Sequence, residues 1–263
     1  MKKLKQKFLE NTVFYLISLA SLILFFAVWW IYAIQPSSFI STPLEVLERI
    51  IYMCYTPVAK TLLWGHIAAS LWRVLVAFVL ASVIGVGLGI GFGWFKPFRR
   101  FIWPLFSIVR PIPPIAWIPL IILWCGIGEL SKIIVVFIAA LMPVVINTYA
   151  GISSADPLLL NAGKTLGANA RQMLLSVALP DAIPTIIAGM KTALSTAWLA
   201  VVAAEMVAAT KGVGYLIING MEELDIAQVM AGIVVIAIIS FILTFTLNKI
   251  ERILCPWIYL NAK

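Results

Sequence analysis

The sequence predicts an all-α, polytopic membrane protein with about six spanning helices, and three observations lead to that fold class. Of its 263 residues, 63% are hydrophobic and only 11% charged, with a mean hydropathy of +1.06, where soluble domains hold roughly 45–50% apolar and 25% charged residues. Apolar stretches recur along the whole chain with no long polar segment between them, so a single membrane domain over 1–263 is the simplest organisation. The basic residues also fall unevenly between the loops, as they do when one side of a membrane faces the cytoplasm.

A spanning helix needs about 20 mostly apolar residues, and six stretches qualify: 13–34, 66–94, 101–125, 130–150, 182–208 and 227–248. The first follows a basic start that looks like a signal peptide. The apolar run Val13 to Ile34 is longer than the roughly 7–15 residues of a signal core and lacks a small-residue cleavage site, so it reads as a retained helix. After it, Thr42-Pro43 followed by Leu44, Leu47, Ile50 and Ile51 suggests a short amphipathic helix on the outer surface. With the N-terminus inside, twelve of the nineteen lysines and arginines become cytoplasmic, among them Lys96, Arg99, Arg100, Lys164, Arg171 and Lys249, which puts both termini inside.

The second stretch carries Gly85, Gly89 and Gly93 on one helical face and Gly87 and Gly91 on another. Small residues four apart let helix backbones approach closely in lipid, with a hinge as the alternative reading. The third contains RPIPPIAWIP from Arg110 to Pro119, whose prolines remove backbone donors and break a regular helix. Broken backbone at membrane depth must be buried in protein or line a water-filled path.

The net charge of +8 fits cytoplasmic loops better than nucleic-acid binding, because no basic segment is interleaved with stacking aromatics outside the apolar stretches. Cys54, Cys125 and Cys255 show no metal-ligand spacing, and His66 is the only histidine. No GxxxxGK[ST] run exists, so the chain has no phosphate-cradling loop of its own. No cofactor and no catalytic constellation is expected.

The expected cytoplasmic loop 151–181 is largely made of the run DPLLLNAGKTLGANARQMLLSVALPDAIP from Asp156 to Pro184, in which Leu158, Leu159, Ala162, Leu166 and Ala170 recur at helical spacing. It is expected to break at Gly167 and to resume as a second short helix ending at Leu179 and Pro180. Asn161, Ala162, Gly163, Gly167, Val177, Leu179 and Pro180 keep the spacing of the EAA signature, although Asn161 replaces its Glu and Gly163 its third Ala. On this segment, and on HIAASLWRV, RPIPPIAWIPLIILWCGIGELSK, LMPVVINTYAGISSADP and AWLAVVAAEMVAATKGVGYLI, the chain resembles the permeases of binding-protein-dependent ABC importers. The similarity is strongest to the taurine, sulfonate, nitrate and bicarbonate group.

The resemblance implies a type I importer fold and a non-catalytic subunit that pairs with a second permease copy. It further implies two cytoplasmic ATPases that bind ATP and Mg, and an extracytoplasmic solute-binding protein. Coupling to the ATPases would run through Asn161, Ala162, Gly163, Leu166, Gly167, Arg171, Leu179 and Pro180. Taurine or another alkanesulfonate is the implied solute, with nitrate, bicarbonate, an aromatic acid or a thiamin precursor as alternatives.

Buried charge is the local pointer to a solute path, since ionisable groups at membrane depth cost at least about 2.5–3.5 kcal/mol and face protein or water. Candidates are Glu205, Arg73, Arg110, Asn147, Ser195 and Thr196. For Glu205 a structural pairing with Arg73 or Lys191 competes with contact to solute. Arg73 and Arg110 suit an anion's oxygens, with snorkelling or pairing as the alternative.

Overall fold

The structure is a computed structural model that describes residues 2–35, 38–254 and 256, with side chains described from Leu16 onward and not at Leu254. Eleven helices follow in order among the described residues: α1 (Lys2–Ala33), α2 (Pro43–Tyr55), α3 (Leu63–Trp94), α4 (Lys96–Val109), α5 (Ile118–Cys125), α6 (Glu129–Ser153), α7 (Pro157–Thr165), α8 (Ala170–Met173), α9 (Leu179–Ala208), α10 (Val213–Glu222) and α11 (Ile226–Leu254). A 3-10 turn, Pro114–Trp117, precedes α5, and a π turn, Leu174–Ala178, joins α8 to α9. No strand occurs among the described residues, which establishes the all-α class. Among the described residues, five helical stretches are long and apolar enough to cross a membrane, and six if the bent pair α4 and α5 forms one span.

That pair corrects the third expected span. Residues 101–125 are not one helix: α4 ends at Val109, and Pro114–Cys125 leaves at 85° to it. The cause is Pro111, Pro113 and Pro114, which withdraw three amide donors over four positions. A second correction concerns the helix expected to end at Leu179 and Pro180, because Ala170–Ala208 is one helical stretch of 39 residues. Leu179 N donates to Leu174 O, a wide π bond, so Pro180, which has no amide hydrogen, falls just after the widened turn instead of ending the helix. The sequence reading also missed α10.

The chain divides into two compact units, Met1–Leu63 with Leu216–Val234, and Trp64–Tyr215 with Val235–Lys263. In the first unit, Thr42 and Glu45 close a reciprocal capping box that starts α2, with Thr42 N donating to Glu45 Oε2 at 2.8 Å. Leu44, Leu47 and Ile51, the face marked apolar in the sequence, remain exposed, while Val46 and Met53 are buried. Arg49 pairs with Asp225 at 2.6 Å and donates to Gln228 Oε1 at 2.8 Å. All described side chains of α1 except Trp29 and Ala33 are exposed, as on a lipid-facing helix.

In the second unit α3, α6 and α9 pack through small residues. A Cβ added at Gly85, Gly89 or Gly93 would lie 2.8, 2.4 or 2.6 Å from the side chain of Val144, Thr148 or Ile152 respectively. Both series advance by four, so the i, i+4 ridges of α3 and α6 run together. Across the other face of α6, Gly189 of α9 meets Asn147, and Gly151 meets Ala182. Gly87 faces open space, and Gly91 is filled by Phe98.

This packing predicts opposite outcomes for two alanines. Gly89→Ala forces α3 away from Thr148 and is expected to cost about 1–3 kcal/mol. Gly87→Ala meets nothing and gains helix propensity, up to about 1 kcal/mol. Thermal unfolding of the detergent-purified protein, with the midpoint falling only for Gly89→Ala, checks both.

Candidate functional site

The segment that resembles a coupling loop forms a compact helix-turn-helix. Asp156 caps α7 by accepting from Leu158 N at 2.8 Å, and its own amide donates to Asp181 Oδ2 at 3.2 Å, tying the start of α7 to α9. The turn at Gly167 has φ +78°, a left-handed conformation that glycine adopts without strain. Gly167 N and Ala168 N donate to the carbonyls of Lys164 and Gly163, both at 3.0 Å, which closes α7. Asn169 then opens α8 with a capping box to Gln172.

At Gly163 an added Cβ would lie 2.6 Å from Met173 Sδ, so the absence of a side chain lets α7 settle onto the buried Met173. Asn161, Ala162 and Arg171 are exposed around the turn, and Leu166 is 87% exposed at its tip. Leu179 is half-buried, and Pro180 is exposed at the start of α9. An ordered knob with an apolar tip therefore projects from one end of the helical stretch Ala170–Ala208.

A buried ionic cluster stands at the other end of that stretch. Arg73 of α3 is fully buried and makes four hydrogen bonds to three partners. Its Nε and Nη2 grip the two carboxylate oxygens of Glu129 at 2.6 and 2.7 Å, while Nη1 reaches Glu205 Oε1 at 2.6 Å and the Lys211 carbonyl at 2.9 Å. Glu205, 1% exposed on α9, also accepts from Ser70 Oγ at 2.7 Å and from Gly214 N at 2.9 Å. Ser70 Oγ in turn accepts from Val213 N at 2.9 Å, and His66 Nδ1 from Gly212 N at 3.1 Å.

The segment from Gly212 to Gly214 thus supplies three amide donors to side chains of α3 and α9. Its glycines are sterically required. Gly212 sits at φ +138°, and a Cβ there would lie 2.3 Å from Glu205 Cδ; a Cβ at Gly214 would lie 2.5 Å from the Val202 carbonyl.

Of the two expected partners for Glu205, Arg73 takes it, and Lys191 pairs with Glu251. Arg110 is exposed at the end of α4, away from this network. Asn147 donates to the Pro143 carbonyl of its own helix at 2.9 Å, and Thr196 Oγ1 lies 3.1 Å from the Ala139 carbonyl across the α6–α9 contact. Ser195 is exposed and, with Lys191, Trp198, Ser240 and Thr244, lines an open cavity of about 240 Å³ between α9 and α11. Glu129, Ser70, Gly212 and Gly214 were missed as site residues. The legible signal was Glu129 at the head of an apolar stretch. No group of His, Cys, Asp or Glu that could hold a metal ion occurs among the described residues.

Removing one partner of a buried ion pair leaves the other charge uncompensated, at a cost of about 3–5 kcal/mol. Glu205→Ala is expected to lower the yield and unfolding midpoint of the purified protein sharply, and Gly212→Ala to do the same through steric conflict. Arg110→Ala, at an exposed position, should leave both within about 0.5 kcal/mol of the parent.

Residues 81–258 match the family model described as binding-protein-dependent transport system inner membrane component. The chain is 37% identical to the taurine transport system permease protein TauC of Escherichia coli K12, over 92% of this chain and 89% of that protein. It is 34% identical to the putative aliphatic sulfonates transport permease protein SsuC of Bacillus subtilis, over 74% of this chain and 71% of that one. With the nitrate import permease protein NrtB of Synechocystis the identity is 31%, over 87% and 85%. Among solved structures, an inward-facing conformation of the MetNI methionine ABC transporter matches with a TM-score of 0.63 at 20% identity, covering 71% of this chain and 93% of that one, which is a likeness of fold. The chain belongs to the inner membrane components of binding-protein-dependent transport systems, as an ABC importer permease of the group that includes the taurine, sulfonate and nitrate permeases.

Proposed function

We propose that this chain is the membrane subunit of an ATP-driven importer of taurine or another alkanesulfonate. It works as a pair of permease copies with both termini cytoplasmic, and an extracytoplasmic binding protein delivers the solute. Two cytoplasmic ATPases hold the ATP and Mg and seat on the knob from Asn161 to Pro180, while the permease itself catalyses no reaction. The observation that carries this reading is the continuity of the knob with α9. The exposed tip at Leu166 and Gly167 is fastened to the same helical stretch that ends in the Arg73–Glu205 cluster. When nucleotide draws the ATPases together, the knobs follow, and α9 carries the displacement through the membrane as a rigid-body switch between inward-facing and outward-facing states.

The sulfonate assignment draws on the relatives named for taurine and aliphatic sulfonates. A nitrate solute is the second reading, supported by the nitrate import permease at 31% identity.

Co-purification with the soluble ATPase is expected to be lost on Gly167→Arg, which places a long side chain at a left-handed position on the knob, and on deletion of 158–176. An intact complex after the deletion contradicts the docking role. Uptake of labelled taurine into vesicles holding the full complex, with alkanesulfonates, nitrate and bicarbonate as competitors, tests the solute. Taurine uptake inhibited by alkanesulfonates is the expected result; no taurine uptake with strong competition by nitrate overturns it.

A further inference from the structure

Arg73 holds two carboxylates that differ in kind. Glu205 is sealed in the bundle, and its side chain is fully inaccessible. Glu129 keeps 52% of its side chain exposed although both of its oxygens lie in the Arg73 fork. Lys132, one turn along α6 and 5% exposed, donates to Glu129 Oε1 at 3.1 Å.

Glu129 is also the first residue of α6, where unpaired amides and the helix dipole favour an anion. It follows Gly126 and Gly128, at neither of which an added Cβ would meet any atom within 4 Å, so the approach to the fork carries little bulk. The charged groups of the cluster are Arg73, Lys132, Glu129 and Glu205, which sum to zero, with the exposed Lys211 contributing its carbonyl to Arg73. Without Glu129 the buried remainder is a guanidinium edge and an ammonium facing one sealed carboxylate, a net charge of +1.

We propose that the Nε–Nη2 edge of Arg73, with Lys132 and the start of α6, is an oxyanion-binding site for the sulfonate group of the solute, and that Glu129 is an intramolecular plug occupying it in this conformation. The Glu129 carboxylate stands where two oxygens of a sulfonate would sit, accepting the same paired N–H bonds. Displacing it leaves Glu129 as a free carboxylate beside the bound anion, able to accept the ammonium of a zwitterionic aminosulfonate. The inference rests on the sulfonate importer reading above and adds to it a place where the solute's charged group is met.

The test uses the complete permease–ATPase complex in detergent. Its unfolding midpoint is followed against sodium methanesulfonate, with sodium chloride making up constant ionic strength. Because Glu129→Gln removes the competing charge, saturable stabilisation is expected at a concentration at least about tenfold lower than in the parent. Adding Lys132→Gln should weaken that effect again. Should Glu129→Gln not assemble, Glu129→Asp, whose carboxylate is one methylene short of the fork, carries the test with a smaller shift in the same direction.

Equal response of parent and variant, or equal stabilisation by chloride, overturns the site. Taurine uptake by the parent complex separates the two readings. Uptake without any anion effect at position 129 sinks the plug and leaves the importer standing, whereas an anion effect without taurine uptake supports the site and sinks the taurine assignment.

Discussion

A guanidinium buried in a bundle of apolar helices has to be neutralised and fully hydrogen-bonded, and much of the local sequence at one end of this protein follows from that demand on Arg73. An ionised group at membrane depth costs at least about 2.5–3.5 kcal/mol unless protein replaces its water. Here Glu205 on α9, Glu129 at the head of α6 and the Lys211 carbonyl replace that water around Arg73, and Ser70 Oγ of α3 and Gly214 N replace it around Glu205. Because backbone amides must come close to Glu205, side chains are excluded at 212 and 214, and the TKGVGYL stretch reads as a consequence of the ion pair. The cluster ties the amides of Gly212, Val213 and Gly214 to side chains of α3 and α9.

Between that cluster and the knob, cohesion is of a different kind. Lipid supplies no hydrophobic drive for helices to associate, so contact must come from close backbone approach. The glycines of α3 against Val144, Thr148 and Ile152, and Gly151 and Gly189 at the α6–α9 contact, provide it. Small buried residues on α9, including Ala193, Ala197, Ala200 and Ala204, continue the seam toward Glu205. Such a seam is stiff against separation. The π turn and Pro184 are the places along Ala170–Ala208 where stiffness is lowest, since both interrupt the regular bonding ladder.

The fold class was legible because composition and apolar run length are properties of the chain alone. The small-residue faces were legible for the same reason, since four-residue spacing maps directly onto one side of a helix. Two boundaries were not. Pro180 is an ordinary stop signal, and only the π turn before it, a local rearrangement that spacing does not encode, lets the helix pass through. Residues 101–125 have the length of a span, but the prolines turn the chain through 85° instead of kinking one helix.

At the site, Glu205 and Arg73 stood out because charge is rare in such segments. Glu129 did not, because at the edge of an apolar stretch it resembles an ordinary interfacial residue until the fold brings Arg73, 56 positions away in sequence, against it. The knob was legible through the spacing of Asn161, Gly167, Leu179 and Pro180, while the role of Gly163 against Met173 needed the packing.

The helical stretch Ala170–Ala208 transmits displacement as one body from the knob to the ionic cluster, a path of about 58 Å over 39 residues. Electron–electron distances between spin labels in complexes lacking the native cysteines test it most directly: Ala168→Cys with Thr210→Cys, spin-diluted to one labelled copy, and Ala168→Cys alone with both copies labelled. Between nucleotide-free and ATP-trapped complexes the distance within the chain should hold to about 2 Å, while the distance between the Ala168→Cys labels of two copies shifts by several times that amount. A change within the chain as large as the change between copies would mean that this stretch bends at the π turn or at Pro184, and would contradict transmission through a rigid helix.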